Sequence, residues 1–411
     1  MSTKDINDLL GQGELYEEAG NFEKAEALYN KVLSLSSDDL FLRQKLYKKL
    51  GGIYFKQYIK IEMGEYISSW DNIKLNAEFY VPNKPKPTCL FFHGWHMTAE
   101  DSRKAGEILP LVKDFFVVNV NMRGRAGSAG VPDASGFELL DGIDALHYAA
   151  KRWKDKIDFT RGPYVVGGSG GGGNTLALLG KAPDLFAAAV EWAGMSDYAL
   201  WFKGDRKGCY RDEMSHWIAP SPEEDAAAYK SRGGLYLIEN LLSPLLVMHG
   251  ENDDAVPVVH SKAYEERADA LNKKNIQFIW NMLGHSSMEW DKALPFLNKH
   301  QTPPELPLRG KMLVSSFLYC RNFAVKLSAP DCIGILEYDL NEQGNLLVLN
   351  FIQDASAMFS EYARIRLPFA LKKNKVKISS SATLETIKEN PMEGIDFIIR
   401  AKGNWTLHFT Y

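Results

Sequence analysis

The chain has 411 residues, 45% of them hydrophobic and 24% charged, which is ordinary globular composition with room for a large core. Its 48 Lys and Arg stand against 52 Asp and Glu, a net charge of −4 that gives no reason to expect nucleic acid or an anionic membrane as partner. The polar, acidic start MSTKDINDLLGQGELYEE does not read as a secretory signal, and no stretch approaches the ~18 apolar residues of a membrane span. Four cysteines (Cys89, Cys209, Cys320, Cys332) show no metal-like clustering. Cys320 and Cys332 are spaced so that they could pair, but so few thiols fit a reduced compartment better, and a cytoplasmic location is expected.

Residues 1 to about 56 read as helices. Leu9, Leu10, Leu15 and Tyr16 form one apolar stripe and Ala25, Leu28, Tyr29 and Val32 another, with Gly20-Asn21 as the turn between them. Gly13, Tyr16, Gly20, Ala25 and Tyr29 resemble a single tetratricopeptide motif, a helical hairpin. One copy cannot build a solenoid, so it must cover the rest of the chain or meet a second copy or a partner protein. Tyr58 to Val81 predicts a β-hairpin around Trp70-Asp71-Asn72, followed by the breaker-rich Asn83–Pro87. Six short apolar runs then alternate with helical patterns: Cys89–Phe92, Phe115–Val120, Tyr164–Val166, Ala187–Trp192, Leu245–Met248 and Ile276–Trp280. This predicts an α/β unit over residues 57–300, a mostly parallel sheet with helices on both faces. Gln301–Pro307 reads as a linker. Residues 308–411 predict an antiparallel β-domain, a sandwich, with runs at Met312–Tyr319, Ile333–Tyr338, Leu346–Phe351, Lys375–Ser379, Ile395–Ile399 and Trp405–Tyr411, and no catalytic motif.

The chemistry concentrates in four places. Val165-Val166-Gly167-Gly168-Ser169-Gly170-Gly171 is a G-x-S-x-G sequence after an apolar run and before a helix, the arrangement that presents a serine nucleophile on a tight strand-to-helix turn. The rival reading is a glycine-rich phosphate loop. A dinucleotide site would want an acid about 20 residues on, and Glu191 comes late for that. Leu245–Met248 runs into His249-Gly250-Glu251-Asn252-Asp253, which puts Asp253 where a triad acid would sit, ahead of Asp254 and Glu251. His285, just beyond Ile276–Trp280, stands where the base would lie. The early strand ending in His93-Gly94-Trp95 would supply the second oxyanion donor, the backbone N–H of Trp95, beside that of Gly170. His93, His249 and His260 read as structural, and His96 is left without a role. No metal or other cofactor is expected. Residues 195–240, with Tyr198, Trp201, Phe202, Tyr210 and Trp217, read either as a cap over the site or as ordinary surface helices. Trp95 and Trp201 are the candidate substrate-facing aromatics.

Serine, then acid, then histidine is the order of the α/β-hydrolase superfamily, which residues 58–297 resemble. FFHGWHMTAED, VVNVNMRGRAGSAG and GGSGGGG followed by VEWAGMSDYALWF resemble the acetyl xylan esterase / cephalosporin C deacetylase family. SRGGLYLIENLLSPLLVMHGENDDAVPV is more similar to the catalytic domain of the prolyl oligopeptidase family of serine peptidases. Both resemblances imply the triad Ser169, Asp253 and His285. Arg125, Gly170 and Ser286 depart from the residues those families carry, which leaves the substrate open, and the N-terminal β-propeller of the peptidases is replaced here by about 56 helical residues. The expectation is a serine hydrolase acting on a small carboxylic ester, such as an acetyl ester. A peptidase of short peptides is the alternative, and a non-catalytic scaffold the third reading.

Overall fold

The structure is a computed structural model that describes residues 3–205, 208–340, 346–367, 377–380, 383–390, 394–400 and 403–410. Three helices open the chain: α1 (Thr3–Glu18), α2 (Phe22–Leu35) and α3 (Leu40–Tyr58). Asn21 caps α2, its Oδ1 accepting from Lys24 N at 3.4 Å, and Asp39 caps α3, accepting from Leu42 N at 2.9 Å. The sequence marks only the first two. Leu46 and Ile53 of α3 bury against Ala25, Tyr29 and Val32, whereas Tyr47, Tyr54 and Phe55 pack on the sheet that follows. A helix buried on two sides shows no single stripe, so its periodicity is blurred.

The predicted hairpin is β1 (Ile59–Ile67) and β2 (Lys74–Pro82), paired from Ile59↔Pro82 to Ile67↔Lys74. All six predicted core strands form: β3 (Thr88–Phe92), β4 (Phe116–Val120), β5 (Tyr164–Gly168), β6 (Ala188–Trp192), β7 (Leu245–Gly250) and β8 (Ile276–Asn281). Their order is β1-β2-β4-β3-β5-β6-β7-β8, and every pairing from β4 through β8 is parallel. The strands read as continuous apolar runs because both faces are covered. Leu90, Phe92, Val165, Leu245 and Val247 enter one core, while Cys89, Phe91, Val166, Leu246 and Met248 enter the other. The connecting helices are α4 (Ala99–Lys104), α5 (Glu138–Arg152), α6 (Gly170–Lys181), the four short helices α7 (Tyr198–Gly204), α8 (Arg211–Trp217), α9 (Ala226–Lys230) and α10 (Gly234–Leu237), then α11 (Val259–Ala270) and α12 (Trp290–Lys299). Strand order reverses about β3, so the crevice beyond the ends of β3 and β5 is where a ligand site is expected in such a sheet.

The C-terminal strands are β9 (Arg309–Ser315), β10 (Phe317–Tyr319), β11 (Ala324–Leu327), β12 (Ile333–Leu340), β13 (Leu346–Gln353), β14 (Tyr362–Leu367), β15 (Lys377–Ser380), β16 (Thr383–Asn390), β17 (Gly394–Arg400) and β18 (Trp405–Thr410). They run antiparallel in the order β15-β18-β13-β12-β9-β10-β11-β14-β17-β16. Among the described residues the ladder passes from one half to the other at Ser315↔Phe317, where Ser316 has φ +63°, and there the sheet doubles over. Phe397 of β17 and Phe409 of β18 belong to opposite halves, yet their rings lie 5.3 Å apart, so the halves face each other as a sandwich. Residues 375, 376 and 411 of the predicted runs lie outside the described residues, and β11, β14 and β16 are strands the sequence reading did not single out. All four cysteines are free thiols.

Side chains stitch the sandwich to the α/β unit. Lys181 Nζ donates to Ser135 O (2.8 Å) and Ser316 Oγ (2.9 Å), and Lys326 Nζ to Ser69 Oγ (2.7 Å). Asn240 both donates to Leu313 O (2.7 Å) and accepts from Leu313 N (2.9 Å), and Arg232 pairs with Asp331. Burial pulls the Lys181 and Lys326 ammonium groups down to about 7.

Candidate active site

Ser169 stands between β5 and α6 with φ +56° and ψ −122°. Its N–H donates to Trp192 O (2.9 Å), which moors the turn to the neighbouring strand. A left-handed serine costs backbone energy, and the surrounding contacts hold it there. Two glycines are required by close approach. A Cβ on Gly168 would fall 2.0 Å from the Trp192 ring, and one on Gly170 would fall 2.6 Å from Trp95 N and 2.7 Å from Trp95 Cα. The loop after β3 therefore lies directly on the first turn of α6, bringing the backbone of Trp95 and of Gly170 together. His93 shapes that loop. Its Nε2 accepts from Met122 N (3.3 Å), so Nδ1 carries the proton and donates to Gly94 O (2.9 Å). Burial pulls its imidazole down to about 4, against the Gly94 carbonyl, and keeps it neutral.

Asp253 lies on the loop after β7 with its side chain wholly buried. Oδ1 accepts from Ala255 N (2.9 Å) and Val256 N (3.0 Å), and Oδ2 pairs with His285 Nδ1 at 2.8 Å. The rival acids Glu251 and Asp254 are exposed. Burial pushes the Asp253 carboxyl up, but His249, His285 and the Val256 N–H outweigh it and hold it well below the usual carboxylate range. His249 is the buried neighbour that the sequence reading left as structural. Its Nε2 lies 3.4 Å from Asp253 Oδ2 and donates to Val256 O (2.8 Å), while Nδ1 meets Ser261 Oγ (2.7 Å).

Ser169 and His285 line one pocket of about 190 Å³, with Trp95, Met97, Trp201 and Tyr210 among its walls. The 195–240 segment reaches this pocket. Trp201 stacks on Tyr210 (4.5 Å), meets Trp95 edge-on (5.0 Å) and donates from Nε1 to Ala255 O (3.3 Å). Trp201 is only 3% exposed, so it serves as a wall of the pocket rather than a free ring. Sequence reasoning missed two carboxylates. Glu213 of α8 accepts from Trp95 Nε1 (2.5 Å) and lies 2.8 Å from His96 Nε2, tying this segment to the loop after β3. Glu107 lines the pocket itself, and burial pushes its carboxyl up while Ser102, Lys48 and His285 pull it down. No local pattern marks either residue, because each acts across a large gap in sequence. Among the described residues no group of three His, Cys, Asp or Glu is arranged to hold a metal, and no helix is long and apolar enough to cross a membrane.

Beneath the elbow, Glu191 of β6 is fully buried. Its Oε2 accepts from Gly194 N (3.0 Å), and its Oε1 has no hydrogen-bond partner among the described residues. Burial pushes its carboxyl to about 7 against the pull of His249. The folded value lies above the unfolded ~4.3, so its contribution to stability is complete below that pH and is lost as pH rises towards 7. Glu191→Gln keeps an acceptor for Gly194 and cannot ionise. Its Tm relative to wild type is expected to climb by several degrees between pH 4.5 and pH 8. Melting curves at the two pH values check this, and a constant difference would mean that Glu191 carries no buried charge at pH 8.

The sheet order, the elbow and the covering helices define an α/β-hydrolase fold. A solved structure with this arrangement, the Pyrococcus horikoshii acylaminoacyl peptidase, aligns with TM-score 0.51 at 18% identity over 63% of this chain and 44% of that one, a likeness of fold. Residues 107–289, which hold Ser169, Asp253 and His285, match the prolyl oligopeptidase family of peptidases, as the sequence resemblance implies. The uncharacterized peptidase YtmA of Bacillus subtilis (strain 168) is 26% identical over 183 residues, 44% of this chain and 69% of its own length. Dipeptidyl peptidase family member 6 of Caenorhabditis elegans is 27% identical over 180 residues, 40% of this chain but only 23% of its own length.

Proposed function

We propose that this chain is a serine hydrolase that transfers an acyl group to water through an acyl-enzyme on Ser169. The observation that carries the reading is the Asp253–His285 contact of 2.8 Å beside a left-handed Ser169 in the same pocket. Asp253 fixes the Nδ1–H tautomer, which leaves Nε2 as the base. His285 takes the Ser169 proton, Ser169 Oγ attacks the carbonyl, and the N–H groups of Gly170 and Trp95 receive the oxyanion. His285 then protonates the leaving group and activates the water that frees the acyl product.

The substrates are short. A pocket of about 190 Å³ is smaller than the roughly 300–1,000 Å³ of drug-sized ligand sites, and Trp95 and Trp201 would form its apolar wall. Aminoacyl and short peptidyl amides are favoured by the peptidase match over the whole triad-bearing segment. Small carboxylic esters are the second reading, favoured by the esterase-like FFHGW and MRGRAG segments. The purified protein is expected to be labelled at Ser169 by a fluorophosphonate and to cleave aminoacyl anilides faster than p-nitrophenyl acetate when each is compared with its uncatalysed rate. The reverse preference would favour the ester, and absence of both labelling and turnover would leave only a scaffold.

A further inference from the structure

The helices ahead of the sheet reach the loop that carries His285. α3 turns Arg43, Gln44, Tyr47, Lys48 and Gly51 to one side, positions spaced to share a helix face. The approach is close: a Cβ on Gly51 would lie 2.0 Å from Leu109 O. Lys48 Nζ donates to Ala105 O (2.9 Å), in the turn that precedes Glu107. Gln44 Nε2 donates to Ser286 O (2.8 Å) and to Met288 O (2.7 Å), and Arg43 pairs with Asp291 (3.1 Å) in the first turn of α12. Ser286 follows His285 directly. The 282–289 loop has no ladder partner of its own, so its carbonyls need donors from elsewhere. A helix that only covered apolar surface would not need to place an amide on two carbonyls within three residues of an imidazole.

We propose that α3 is part of the active-site framework, with Gln44 as a positioning residue that holds the Ser286 and Met288 carbonyls and so aims His285 at Ser169. The proposal rests on the hydrolase reading above. It gives the N-terminal helices a role beyond cover: they set the base.

The test uses the full chain. Gln44→Met keeps side-chain volume and helix propensity but has no donor. It is expected to lose about 10- to 100-fold in kcat, as small misplacements of a reacting group do, with KM nearly unchanged and Tm close to wild type. Fluorophosphonate labelling of Ser169 slows by the same factor, because that step also needs the base. Gln44→Lys returns a donor at similar reach and recovers most of the rate. Lys45→Met, on the exposed side of the same helix, keeps the wild-type rate. Wild-type kcat in Gln44→Met, a loss confined to KM, or a Lys variant as slow as the Met variant each overturns the proposal. If wild type labels at Ser169 and Gln44→Met labels equally fast, the positioning role alone falls. If wild type does not label, the hydrolase reading falls with it.

Discussion

Ser169→Ala is expected to lower kcat/KM by about 10⁶-fold, the scale seen when a serine nucleophile is removed from a working triad. The substitution is unusually clean at this position. Alanine carries the same Cβ into the same φ of +56°, so the strained turn, the bond from its N–H to Trp192 O and the close contact of Gly170 with Trp95 all persist. Tm is therefore expected to stay near wild type while the rate collapses. Residual turnover of about 10³- to 10⁴-fold over water is expected from the Gly170 and Trp95 donors, which remain. The measurement is kcat/KM on the best substrate of the anilide and ester panel, with a melting curve of the same preparation. A loss of less than tenfold would mean that another group attacks the carbonyl.

Asp253→Asn is the second large effect, about 10⁴-fold in kcat. Oδ1 of Asp253 already accepts two backbone N–H groups, from Ala255 and Val256, so the asparagine oxygen stays there and its NH₂ turns to His285 Nδ1. A donor facing Nδ1 favours the tautomer with the proton on Nε2, and the imidazole can then no longer accept from Ser169. The pH dependence has a definite sign. The folded carboxyl is depressed, so its stabilising contribution is present above the unfolded ~3.9 and is lost as pH falls below it. The stability gap between wild type and Asp253→Asn is therefore widest near neutral pH and closes in acid. Denaturant midpoints at pH 7 and pH 3.5 read this directly, and a gap that widened in acid would contradict the charge assigned to Asp253.

What the sequence made legible was whatever is local. Strands buried on both faces, such as Cys89–Phe92 and Leu245–Met248, announce themselves as apolar runs, and Gly-Gly-Ser-Gly-Gly, His249-Gly250 and Gly284-His285 fall where those runs break. The hidden part is what depends on partners far along the chain. α3 divides its apolar residues between two cores and so has no stripe. β11 and β14 carry Lys326, Arg364 and Arg366 inside strands, which reads as surface until Ser69 and Asp396 appear as their partners. Glu107 and Glu213 reach the pocket and its walls, and Gln44 the loop after His285, through proximity alone. Gln44 meets Ser286 across 242 positions, a distance over which no sequence periodicity carries information.

The contacts between the sandwich and the parallel sheet bear on how the molecule comes apart. Lys181 donates to oxygens on both sides of that boundary, and Lys326 to one across it. Pulling the strands beyond Pro307 away would take Ser316 from Lys181, part Lys326 from Ser69, and leave Asn240 with Gly180 O alone in place of its two bonds to Leu313. The C-terminal strands are thus joined to the α/β unit by shared core as well as by polar contacts, with Phe317, Leu313 and Tyr319 packed into it, and severing the gene at Pro307 would open that core rather than remove a free appendage.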